Sequence, residues 1–80
     1  MLISTEAPPS YGMDKLYDPD VNGNIIYAGW AVPGSPTSAA VWAIKQYTYN
    51  ASNCCLSEKW CNGSPSLKNI WDNRAALTYL

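Results

Sequence analysis

The sequence predicts an all-β fold: a small barrel or sandwich of short antiparallel strands, with one short helical turn and an extended N-terminal arm. Three observations carry this expectation. Short runs of β-branched and aromatic residues alternate with Pro, Gly and Asn turn signals. The longest stretch without Gly or Pro, residues 37–62, is rich in the strand formers Trp, Ile, Tyr and Thr. Pro8, Pro9 and Pro19 interrupt the first 24 residues, breaking helices and removing ladder donors.

Residues 1–24 therefore read as an arm, and residues 25–80 as the β domain. Met1-Leu2-Ile3 runs straight into Ser4-Thr5-Glu6, without the basic start and apolar stretch of a signal peptide. Tyr11, Met13, Leu16 and Tyr17 are apolar but too sparse for a core segment, so they are expected to lie on a neighbouring subunit, the alternative being a disordered terminus. Fully stretched, such an arm reaches roughly 80 Å. Asn22-Gly23 marks a turn.

The run from Ile25 to Trp30 reads as a strand, and Pro33-Gly34-Ser35-Pro36 as a loop. Val41, Ile44 and Thr48 would share a helical face. A strand is preferred, with one bulge near Lys45-Gln46 that brings Trp42, Ile44, Tyr47 and Tyr49 to one side. Residues 50–53 form a turn, and Ser57 to Cys61 a second strand that pairs back as a hairpin, ending at Asn62-Gly63. Leu67, Ile70 and Trp71 have the spacing of a single helical turn, and Ala76 to Leu80 is expected to close the fold as a last strand.

Composition excludes several functions. Five Lys/Arg scattered among 80 residues give no nucleic-acid grip. No apolar run approaches the roughly 20 residues of a membrane span. His, the commonest acid–base group and metal ligand, is absent. Only 14 % of residues are charged, while four Trp and six Tyr are present, so the chain is rich in surface suited to a partner.

Few side chains suggest chemistry. Cys54, Cys55 and Cys61 are too few for a structural zinc site and have no basic partner for catalysis. They are read either as reduced small hydrophobes or as one disulfide from Cys54 or Cys55 to Cys61 across the hairpin. Asp18, Asp20, Asn22 and Gly23 imitate the first half of a calcium loop, but Gly29 stands where its closing Glu belongs. Asp72 and Arg74, flanking Asn73 after Trp71, suggest a structural salt bridge or a turn tied down through the backbone. Asn50-Ala51-Ser52 and Asn62-Gly63-Ser64 match the glycosylation sequon by chance. Trp42, Trp60 and Trp71 are expected in the core with Ile44 and Ile70. Trp30 is expected to make partner contacts. No catalytic residue, cofactor or metal site is expected, and an enzyme is not.

One resemblance adds to this. Tyr27-x-Gly29-x-Ala31-x-Pro33-Gly34-Ser35 leads into Thr37-Ser38-Ala39-Ala40-x-Trp42-x-Ile44-Lys45. Trp60-x-Asn62-Gly63 follows, and then the close Asn69-Ile70-Trp71-Asp72-Asn73-Arg74-Ala75-x-Leu77-Thr78-Tyr79. Over residues 27–79 the chain resembles a family of small virion structural proteins of tailed bacteriophages. The resemblance implies a virion component assembled in the host cytoplasm: a capsid cement (decoration) protein that stabilises the head across major capsid protein subunits, or a tail or fibre adaptor. Self-association is expected, with no nucleic-acid or membrane partner. A small glycan-binding module using Trp30 and the tyrosines is the reading from another class. The arm lies outside the resemblance. Cys54-Cys55 replaces a usually polar hairpin tip, and Cys61 sits where that turn commonly has Ala, so the family supports no role for the cysteines.

Overall fold

The computed structural model describes residues 12–80. Four strands run in chain order as an antiparallel meander: β1 (Asp14–Pro19), β2 (Ile25–Ala31), β3 (Ala40–Tyr49) and β4 (Cys55–Trp60). The first residues of β3 also pair with β5 (Asn69–Ile70), and a 3-10 helix (Trp71–Ala76) follows at once. The all-β expectation holds. β1 and β4 remain the outer strands of the four, so the sheet is open rather than closed into a barrel.

Turn chemistry fixes the meander. Asp20 N–H donates to the Asn24 carbonyl and Gly23 N–H to that of Asp20, closing a three-residue loop with Gly23 at φ 85°. The Asp20 carboxylate accepts from the N–H groups of Asn22 and Asn24. The β3–β4 loop repeats the device. Asn50 closes on Cys54, Asn53 takes φ 63°, and Asn50 Oδ1 accepts from Ser52 and Cys54. Asn24 Nδ2 donates to Asn53 Oδ1 at 2.9 Å, joining the two tips. Between β2 and β3, Val32-Pro33-Gly34-Ser35 is a turn with Pro second and Gly third, at φ 86°.

The core lies on one face of the sheet. Leu16, Gly29 and Ile44 stand side by side across β1, β2 and β3. Gly29 leaves room for the indoles of Trp71 and Trp42, whose ring centroids are 6.0 Å apart. Ala31, Trp42, Ile44, Cys61 and Trp71 form the buried cluster, with Leu16, Tyr27, Val41, Leu77 and Tyr79 packed against it. Asn69 is the buried amide that ties the lid to the sheet: its Nδ2 donates to the carbonyls of Trp42 and Ser66, and its Oδ1 accepts from the Cys61 thiol.

Several expectations are corrected. Residues 14–24 are not an arm beyond the β body: β1 pairs along β2, and Leu16 packs against the core. Residues 1–11 lie outside the described residues. The bulge near Lys45-Gln46 is absent; the register shifts at Thr48/Tyr49 and between Ala40 and Trp42. Ala76 to Leu80 is not a strand and contributes one isolated bridge, Tyr79 to Cys61. Arg74 pairs not with Asp72 but with Asp18 of β1, Nε to Oδ2 at 2.9 Å. It also ties the turn down as expected, Nη1 donating to the Trp71 carbonyl. Asp72 is exposed, and its backbone N–H donates to the Thr37 carbonyl.

The disulfide reading also falls. All three cysteines are free, with Cys54 and Cys55 exposed and Cys61 buried. The cause is topological: Cys55 and Cys61 sit on one extended run, so six residues at about 3.3 Å each hold them roughly 20 Å apart. A disulfide needs Cα atoms within about 7 Å.

Candidate functional site

The second face of the sheet is the candidate site. Strand alternation builds it: if Gly29 and Ile44 face the core, then Ala28, Trp30, Ala43, Lys45 and Tyr47 face away. Cross-strand register adds Lys15 and Tyr17 from β1 (opposite Trp30 and Ala28) and Trp60 and Glu58 from β4 (opposite Lys45 and Tyr47). Ala28 and Ala43 are the buried floor between the large side chains. No strand or helix among the described residues packs on this face, because β5 and the 3-10 helix cover the other one.

Trp60 is therefore a correction. It is absent from the core cluster and half-buried on the open face, its ring 5.3 Å from that of Trp30. The regular alternation of β3 from Ala43 to Thr48 is the reason. Without a bulge at Lys45-Gln46, Tyr47 falls opposite to Ile44, and Trp60, paired with Lys45, goes with it.

Lys45 holds the centre. Its ammonium lies 4.7 Å from the Trp60 ring centroid and 5.8 Å from those of Trp30 and Tyr47, within cation–π range. It donates to Glu58 Oε1 at 3.1 Å. Burial, with Glu58 adding its charge, pushes the Tyr47 hydroxyl above the usual tyrosine range. Trp30 Nε1 is buried without an acceptor among the described residues.

The other expected site residues distribute as follows. Tyr11 lies outside the described residues, and Met13 is half-buried just before β1. Tyr17 and Trp30 share the open face, whereas Leu16 points to the core. Trp42, Ile44 and Trp71 are buried, and Ile70 is half-buried in β5 opposite Ala40. Lys15, Lys45, Tyr47 and Glu58 were missed. Period-2 counting through Ile44 without a bulge places Lys45 and Tyr47, and the hairpin register then adds Glu58; Lys15 was hidden because its strand read as an arm.

Three aspartates are engaged elsewhere. Asp14 Oδ2 accepts from Gly34 N–H, Asp18 holds Arg74, and Asp20 caps its own turn. Among the described residues no three His, Cys, Asp or Glu side chains cluster as a metal site. No helix of the described residues is long and apolar enough to cross a membrane. Comparison with family models, curated proteins and solved structures returns no match to this chain.

Proposed function

We propose that the protein is a structural component of a tailed-bacteriophage virion, a capsid cement protein that works by binding and uses the open sheet face as its contact surface. One observation carries this reading: a second aromatic surface, built from Trp30, Trp60, Tyr47 and Tyr17, lies on the side of the sheet away from the core. Interfaces are enriched in such residues, and Tyr17 is 55 % exposed. Edge-to-edge growth of the sheet is a poorer mode. β1 carries Asp14, Lys15 and Pro19 and β4 carries Glu58 and Lys59, the residue types that blunt edge strands. The virion placement rests on the resemblance of residues 27–79, above all the Ile70-Trp71-Asp72-Asn73-Arg74-Ala75 close. A binding rather than catalytic role is supported by the engagement of Asp14, Asp18 and Asp20 in turns and an ion pair.

Quantitative mass spectrometry of purified virions tests the placement. A cement protein is expected in hundreds of copies. A count of about six or twelve, the copy number of a symmetric ring, replaces it with a tail or fibre adaptor. Absence from the particle overturns the virion reading altogether.

A further inference from the structure

The open face carries an electrostatic requirement for whatever covers it. An ammonium has three N–H donors. Lys45 gives one to Glu58, and no other protein acceptor is recorded for it among the described residues. The Lys45 side chain is 21 % exposed, enough for solvent to reach the ammonium, while Glu58, on the outer strand β4, is 54 % exposed. A partner laid over Trp30 and Trp60 would exclude that solvent. Burying a cation with incomplete compensation is costly, and leaving a donor without an acceptor adds to the cost. The Trp30 indole N–H on the same face also lacks an acceptor among the described residues. Among the described residues, two lysines, Lys15 and Lys45, stand against the one carboxylate of Glu58, so their part of the face is net positive on a chain whose net charge is −1.

We propose that the occupant of this face is a segment of another protein that combines apolar side chains, for the Trp30 and Trp60 rings, with an Asp or Glu that pairs with Lys45. The inference rests on the reading of this face as a binding surface and adds the partner's chemistry. A second copy fits less well. Lys45 lies on an inner strand near the middle of the face, and packing the face on itself brings two such lysines together. Glu58 then acts as an internal stand-in for the incoming carboxylate.

Selection of a displayed random peptide library on the immobilised full chain tests this, followed by affinity measurement of the best peptide and its acid-to-amide counterpart. Enriched peptides should pair aromatic or aliphatic residues with an Asp or Glu. On the wild type the amide counterpart should bind about tenfold more weakly, in the range measured for close charge pairs. Lys45→Met should make the two peptides bind alike. Glu58→Gln should tighten the acidic peptide several-fold, an effect no merely structural role produces. Neutral or basic winners overturn the proposal, as does an acid-to-amide change that Lys45→Met leaves intact. Selected peptides whose binding survives Trp30→Ala and Trp60→Ala, or a library that yields none, overturn the binding-face reading itself. Near-ultraviolet circular dichroism verifies that each variant remains folded.

Discussion

A methyl group added at Gly29 would stand 2.6 and 2.7 Å from two carbons of the Trp71 indole and 3.2 Å from Trp42. Both rings are buried, so Trp71 yields only by moving the 3-10 helix from the sheet and Trp42 only by disturbing β3. Gly29→Ala is expected to destabilise the fold by about 1–3 kcal/mol, the usual cost of overpacking, read as a lower denaturation midpoint in urea. The cysteines make a second residue-scale prediction. Ellman's reagent should titrate two thiols rapidly, Cys54 and Cys55, and the third only on unfolding, because Cys61 is fully buried. Burial also raises the Cys61 thiol, and it raises the Tyr79 hydroxyl, where Cys61 and Tyr27 add to the rise and Arg74 opposes it. A group raised in the folded state contributes stability in full below its unfolded value and loses it as pH climbs through the folded one. Denaturation midpoints should therefore hold up to about pH 8.5 and then fall on the alkaline side. Tyr79→Phe should flatten the later part of that fall. At this scale Trp42, Ile44 and Trp71 were legible as core from their bulk. The partners of Arg74 were not, because Asp18 lies 56 residues away and sequence proximity favoured Asp72.

β1 is the element that sequence reading mistook, and its energetics follow from its position. Its apolar residues are sparse because an outer strand with one covered face needs few: Leu16 serves the core and Tyr17 the open side. Pro19 falls at the strand's end, beside the register shift, where no interior ladder bond is lost. Deleting residues 1–24 is thus expected to remove an outer strand and the Asp18–Arg74 pair together. The amide NMR spectrum of the truncated chain should lose its dispersion, so a loss of attachment in that variant would report unfolding rather than a missing arm. β2, β3 and β4 were legible from β-branched and aromatic runs between turn residues. The bulge was not. Its location decides which aromatics share a face, and aromatic content alone does not reveal it, since Trp, Tyr and Ile suit either side of a sheet.

At the scale of the molecule, the described residues measure 35 × 34 × 22 Å, the thickness of one sheet and one covering layer. Such a body has a single core and a sheet with a second face to spare. The scarcity of charge in the sequence, with its many aromatics, has its structural counterpart there: Trp30, Trp60 and Tyr47 gather around Lys45, with Tyr17 on the same face. The all-β class was legible in the sequence, because turn chemistry and strand propensity agree. Which side each aromatic takes depends on register, which local composition does not encode. Hydroxyl-radical footprinting of the protein, free and in the presence of the virion particle proposed as its site of assembly, tests the central claim without any substitution. Tyr17, Trp30 and Trp60 should lose reactivity on assembly, while Val32 and Leu80, both exposed and outside that face, keep theirs. Protection of Val32 and Leu80 with Tyr17 and Trp60 still reactive would contradict it.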